Sequence, residues 1–166
     1  MIILGIDPGY ALVGFGVIEK TGNSFKVIDY GVIETTKNEK MSDRLKKVYD
    51  GVKALILKYK PQQMALEELF FQNNQKTAIN VAMARGVILL AGTKQLGSDN
   101  MFEYTPMQIK QALTGVGRAE KRQVQYMTKC ILNLKEIPKP DDAADALAVA
   151  LTHAQTNQVI GNFKIN

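Results

Sequence analysis

Ile2-Ile3-Leu4-Gly5-Ile6 is a continuous apolar run that stops at Asp7-Pro8-Gly9, and it constrains the fold more than any other part of the chain. A strand with no polar face must be covered on both sides. The run therefore calls for a central strand in a sheet with helices above and below it, and Pro8-Gly9 ends that strand. A chain of 166 residues buries roughly two-thirds of its unfolded surface, enough to cover such a sheet without staples. Cys130 is the only cysteine, so no intrachain disulfide forms and a reducing compartment, the cytoplasm, is expected. No basic segment precedes the apolar run and no small-residue cleavage pattern follows it, which sets it apart from a signal peptide. The longest other apolar stretch, residues 87–91, falls far short of the ~20 residues that cross a bilayer.

Further elements follow from pattern. Residues 12–18 and 25–35 read as strands, and Thr21-Gly22-Asn23-Ser24 between them suits a hairpin turn, so three antiparallel strands open the fold. Leu45, Val48, Tyr49, Val52, Leu55, Ile56 and Tyr59 recur at three- and four-residue spacing up to Pro61, the mark of an amphipathic helix. A short strand is expected over 63–70, a helix over 77–95 and a fifth strand over 101–104. Thr105 is placed to cap a helix with Pro106 at its first position. Gly115-Val116-Gly117 breaks the chain before a basic helix over about 119–134, and a last helix spans about 142–155. The expectation is an α/β domain over residues 1–166, a mixed five-stranded sheet flanked by helices, with a flexible tail from about 157.

Three places carry acids where a sheet has little use for them. Asp7 ends the first strand, which is where α/β sheets present their ligands, although Asp before Pro-Gly is also ordinary turn chemistry. Glu67 and Glu68 interrupt the apolar stretch Ala65-Leu66-Glu67-Glu68-Leu69-Phe70. Alternation sends them to opposite faces, so at most one shares a site with Asp7 and the other reads as the solvent side of an edge strand. Asp145 pairs at helical spacing with Asp142 or Asp141 on a face otherwise built of small residues. First-turn acids cap and complement the helix dipole, which accounts for Asp141 better than for Asp145. Like charges at that spacing repel unless a cation binds between them. Oxygen ligands without a His or Cys cluster indicate Mg²⁺, with Mn²⁺ as a substitute, rather than zinc. Two such ions ~4 Å apart suit in-line displacement at a phosphodiester.

The charge balance fits such a substrate. Lys plus Arg number 21 against 16 Asp plus Glu, a net charge of +5. Between residues 107 and 135 the basic residues are Lys110, Arg118, Lys121, Arg122, Lys129 and Lys135, with Glu120 the only acid before Lys135. This basic half-face suits a polyanion, although a solvated helix surface has the same composition.

Gly5-Ile6-Asp7-Pro8-Gly9, Ala65-Leu66-Glu67-Glu68-Leu69-Phe70, Gly115-Val116-Gly117-Arg118-Ala119-Glu120-Lys121 and Asp142-Ala143-Ala144-Asp145-Ala146-Leu147-Ala148 stand in the order and approximate spacing found in the RuvC family of Holliday-junction resolvases. The sequence resembles that family over nearly its whole length. The resemblance implies a ribonuclease-H-like fold and a homodimer that nicks opposed strands of a four-way DNA junction symmetrically, leaving 5′-phosphate and 3′-hydroxyl ends. It also implies work beside RuvA and RuvB, the branch-migration motor of recombination and repair. Carried over residue by residue, it assigns the catalytic and metal-holding acids to Asp7, Glu67, Asp142 and Asp145. It places an aromatic near the crossover at Phe70 and DNA-binding lysines at Lys110 and Lys121, beside Arg118 and Arg122 of the basic run. Glu68 and Asp141 depart from the family pattern.

Two other readings use part of the same features. A phosphate loop of the actin and sugar-kinase type also has an Asp-x-Gly turn after a first strand, but that architecture needs two such domains. A non-catalytic nucleic-acid module would keep the basic face, yet carboxylates facing a phosphate backbone weaken binding unless a metal intervenes. His153 lies well down the last helix and reads as structural.

Overall fold

The computed structural model of the protein describes residues 1–69, 75–156 and 163–165. Five strands, β1 (Ile2–Asp7), β2 (Leu12–Thr21), β3 (Ser24–Glu34), β4 (Gln63–Glu67) and β5 (Met101–Tyr104), form one sheet in the order β3-β2-β1-β4-β5. The pairs β1–β2 and β2–β3 are antiparallel, and β1–β4 and β4–β5 are parallel. The apolar run at the N-terminus thus lies in the centre of a mixed sheet, as its composition requires. Its side chains alternate between two cores. Ile3 joins the core shared with the C-terminal helix, whereas Leu4 and Ile6 join the opposite one.

The helices are α1 (Met41–Tyr59), α2 (Gln75–Leu96), α3 (Pro106–Thr114), α4 (Lys121–Ile131) and α5 (Asp141–Gln155). Val48, Val52 and Ile56 on α1 and Ile88 and Ala91 on α2 cover one face of the sheet, and α5, flanked by α3 and α4, covers the other. Thr105 caps α3 as its sequence predicts. Its hydroxyl accepts from the Gln108 N–H at 3.1 Å while Gln108 Oε1 accepts from the Thr105 N–H at 2.8 Å.

The basic helix is shorter than its composition suggests. Glu120 stands at its N-cap with its N–H donating to Gln123 Oε1 at 2.8 Å, and Asn133 turns left-handed at φ 50° just past its end. The strand bearing the two glutamates is interior rather than at an edge, flanked by β1 and β5. It also ends at Glu67, so Glu68 lies beyond it and not on an edge-strand face, with its N–H donating to the Tyr104 carbonyl at 2.9 Å. The expected strand end at Phe70 and part of the expected tail, 157–162 and 166, lie outside the described residues. Phe163 stacks on Tyr104 at 5.0 Å between ring centroids, and Lys164 bridges Phe102. Among the described residues no helix is long and apolar enough to cross a membrane.

Candidate active site

The site begins with the absence of side chains. On β1 and β2, Gly5, Gly14 and Gly16 all point toward α5, and Gly5 and Gly16 are cross-strand partners, as are Asp7 and Gly14. A Cβ on Gly5 would fall 2.3 Å from the Ala146 carbonyl oxygen, and one on Gly14 would fall 2.0 Å from that of Asp142. The helix backbone therefore rests directly on the sheet. Ala146 and Ala150 complete this close approach from the helix side, with Ala150 N and Cβ 2.6 and 2.7 Å from where a Gly5 Cβ would fall. The consequence is that the first turn of α5, with its aspartates, is held against the end of the strand pair that carries Asp7.

Parallel pairing supplies the next acid. Ile6 pairs with Leu66 across β1 and β4, so Asp7 and Glu67 stand one residue further along at the same end of the sheet. Ala65 packs in the α5 core whereas Met64 and Leu66 pack in the other, which by alternation puts Glu67 on the α5 face. Gly5 contacts α5, so Asp7 shares that face. The choice between Glu67 and Glu68 that alternation left open is decided by this register.

These carboxylates feel one another. Burial first, then the charges of Glu67, Asp145 and Asp142, push the Asp7 carboxyl from its ordinary 3.8 up to about 8, with Lys121 opposing. Glu67 is raised to about 7 by burial and by Asp145, against Lys121 and Lys110. Burial also raises Asp145, although its hydrogen bond with Lys121 pulls the other way. Lys121 Nζ donates to Asp145 Oδ2 at 2.6 Å and lies 3.5 Å from Asp141 Oδ2. Burial lowers this lysine, but the two aspartates outweigh it and its affinity for the proton rises. A buried group of acids that cannot all ionise together is a site short of positive charge. Among the described residues no three His, Cys, Asp or Glu side chains converge on a single point, and the ammonium of Lys121 is what sits against Asp145. The donor chemistry nevertheless fits a hard cation, since the cluster offers carboxylate oxygens and neither imidazole nor thiolate.

Beside the acids lies a cavity of about 310 Å³ lined by Glu67, Asp145, Lys110 and Lys121 over an apolar floor that includes Ile109 and Val124. Lys110 and Lys121, which the resemblance assigned to DNA binding, thus line one cavity with two of the carboxylates. Arg118 and Arg122 are exposed, and Arg122 lines a different concavity together with Tyr126. Phe70 lies outside the described residues. Asp141 is exposed, lies 3.5 Å from Lys121 Nζ and adds its charge to those that raise Asp145. His153 is buried and serves the core. Its Nδ1 lies 2.7 Å from the Tyr104 hydroxyl and its Nε2 2.9 Å from Gln63 Oε1, and burial, then Lys20, lowers its pKa to about 4, so it stays neutral. Sequence reasoning missed the glycine platform. Its signal is the Gly14-Phe15-Gly16 alternation, two glycines on one face of a strand, which marks a close backbone approach.

The sequence profile of crossover junction endodeoxyribonuclease RuvC matches residues 3–153. The chain belongs to the RuvC family. Among its relatives, the crossover junction endodeoxyribonuclease RuvC of Halothermothrix orenii is 55% identical over 156 residues, covering 94% of this chain and 93% of that protein. The structure of Thermus thermophilus RuvC in complex with a Holliday junction substrate superposes with a TM-score of 0.90 at 36% identity, covering 99% of this chain and 98% of the other. The yeast mitochondrial Holliday junction resolvase Ydc2 has a TM-score of 0.67 at 12% identity, covering 92% of this chain and 77% of that one, and so shares the fold. The mixed sheet with three leading antiparallel strands is thus the RuvC fold, as expected. The acids of β1, β4 and α5 stand together within the span matched to RuvC.

Proposed function

We propose that this protein resolves four-way DNA junctions by nicking two opposed strands with Mg²⁺, leaving 5′-phosphate and 3′-hydroxyl ends, in recombination and repair. The observation that carries the reading is that Glu67, Asp142 and Asp145 all act electrostatically on the buried Asp7 carboxyl at one end of the sheet, in a chain of the RuvC family. Those acids would hold two Mg²⁺ ions, with Mn²⁺ as a substitute. When bound, the ions supply the acidity that turns water into a nucleophile and the positive charge that the leaving oxygen needs. Lys110 and Lys121 border the same cavity and draw the scissile phosphate toward the carboxylates. Arg118 and Arg122 extend the cationic surface along the backbone, and Phe70, three residues after Glu67 in the sequence, is assigned a stacking role against bases near the crossover, worth ~1–3 kcal/mol per stacked base. RuvA and RuvB are the matching partners, and the cytoplasm is the compartment.

The deciding experiment incubates the protein with a synthetic junction and Mg²⁺ and maps nicks on all four strands. Paired, symmetric nicks that vanish with EDTA are expected. Equal cutting of linear duplex would reduce the assignment to a general nuclease.

One set of acids cuts one strand, so symmetric resolution calls for two copies. The surface of α2 suits the contact. Ile79, Ala82, Gly86 and Leu90 are exposed at three- and four-residue spacing, with Ile79 60% and Leu90 55% accessible. A Cβ on Gly86 would meet nothing within 4 Å among the described residues, so a mid-helix glycine that costs about 1 kcal/mol relative to alanine gains nothing from them. A neighbouring helix approaching that face gives it a reason. Leu90→Lys is expected to weaken the dimer at least about tenfold, the effect of setting a charge in an apolar contact. Light scattering across a dilution series measures it, and an unaltered dimer would rule this face out.

A further inference from the structure

We propose that Lys121 is a displaceable counter-ion of the acidic cluster: its ammonium and a divalent ion compete for Asp145, and Asp141 receives the lysine when the ion is bound. This rests on the reading of the four acids as an ion site. Lys121 Nζ bonds Asp145 Oδ2 at 2.6 Å, and its distance to Asp141 Oδ2 is 3.5 Å. The two acceptors differ in surroundings. The Asp145 side chain is 23% exposed and faces the cluster, whereas that of Asp141 is 63% exposed and faces water. They stand at i and i+4 on α5, in one stripe of the helix surface, so one ammonium can pass between them without leaving acid contact. A divalent ion at Asp145 and an ammonium on the same carboxylate repel, so one excludes the other.

Lysine suits this role better than arginine would. Its charge is compact and its stem has four rotatable carbons, so transfer to Asp141 needs a shift at the tip and no movement of α4. Asp141, the exposed acid within 3.5 Å of the ammonium, acquires a purpose as the receiving site. So does the spread of the acids, because the ammonium occupies the place where an ion would draw them together.

The test measures Mn²⁺ affinity by titration calorimetry without DNA, comparing the natural protein with Lys121→Met, Asp141→Asn and the double variant. Lys121→Met is expected to bind Mn²⁺ about tenfold more tightly, the lower end of what a charge-assisted hydrogen bond is worth. Lys121→Gln, which keeps a polar tip, should do nearly the same. Asp141→Asn alone should weaken binding several-fold, and that effect should disappear in the Lys121→Met background, since with no lysine to receive Asp141 has no task. Lys110→Met removes a charge that lines the same cavity and acts on Glu67 through space. It should change the affinity less than threefold. Unchanged affinity in Lys121→Met overturns the proposal, and so does an equal gain in Lys110→Met or an undiminished Asp141→Asn effect in the double variant. If neither natural nor variant protein binds Mn²⁺ and junction nicking persists in EDTA, the ion reading falls and the proposal with it.

Discussion

Asp7→Asn is expected to leave junction binding intact and to lower Mg²⁺-dependent nicking by roughly three orders of magnitude. The substitution keeps shape and removes one charge. A metal-assisted displacement draws several kcal/mol of transition-state stabilisation from the ions and their ligands, and ~4 kcal/mol is a factor of about 10³. Asp7 feels the charge of each of the other three acids, Glu67, Asp145 and Asp142. Losing its charge therefore weakens the site for every ion it could hold. Binding is governed by the cations, and one carboxylate fewer near a phosphate backbone leaves affinity equal or slightly higher. Single-turnover nicking and gel-shift titrations on one junction separate the two effects. Cleavage at the natural rate by Asp7→Asn would end the assignment.

The same substitution has a thermodynamic counterpart with a definite sign. The folded protein holds the Asp7 proton up to about pH 8, whereas an unfolded chain releases it near the ordinary 3.8. A raised carboxylate pKa favours the folded state fully below the unfolded value, and that contribution is lost as pH climbs through the folded one. In EDTA the natural protein should lose stability between pH 4 and pH 8, and Glu67, raised to about 7, adds to the slope. Asp7→Asn removes its share. At pH 8.5 it should melt roughly 5–10 °C above the natural protein, and at pH 4 the two should coincide. A gain that is the same at both pH values would show that burial of charge is not its origin.

Much of this was legible in the sequence because the deciding signals are local. The apolar run over residues 2–6 could only be an interior strand, the 3.6-residue recurrence at Val48, Val52 and Ile56 could only be a helix face, and Thr105-Pro106 starts α3 by chemistry that operates within four residues. The site was legible only in part. Spacing showed that Glu67 and Glu68 diverge but not which one meets Asp7, because that depends on the register of β4 against β1, a contact between residues some sixty positions apart. Asp141 and Asp142 posed the same problem on α5. The resemblance to the family chose Glu67, and the pairing of Ile6 with Leu66 supplies the physical reason. The position of β4 inside the sheet was equally hidden, since a strand of five residues reads alike at an edge or in the interior. The glycines of β1 and β2 were visible as letters, but their meaning needs the helix that lies on them.

That platform yields the last expected result, a Gly14→Ala protein damaged in both stability and cutting. The new Cβ would fall 2.0 Å from the Asp142 carbonyl oxygen and 2.5 Å from its carbonyl carbon. Backbone cannot swing aside as a side chain can, so the strand and the start of α5 must part. Overpacking by a single methyl costs typically 1–3 kcal/mol, and with backbone on both sides the upper end applies. The melting temperature should fall by roughly 6–12 °C. The displaced segment carries Asp142 away from Asp7, and a shift of about 1 Å in a reacting constellation costs on the order of 10²-fold in rate. Gly92→Ala is the contrasting case. Its Cβ would meet Met101 Cε at 2.5 Å and Met64 Sδ at 3.0 Å, the ends of flexible side chains. These can rotate away, and alanine is favoured over glycine inside a helix by about 1 kcal/mol. Gly92→Ala should therefore keep near-natural stability and nicking. Differential scanning calorimetry and single-turnover nicking of the two variants make the comparison. A Gly14→Ala protein indistinguishable from Gly92→Ala would mean that direct contact between sheet and helix backbone does not set the position of the α5 aspartates.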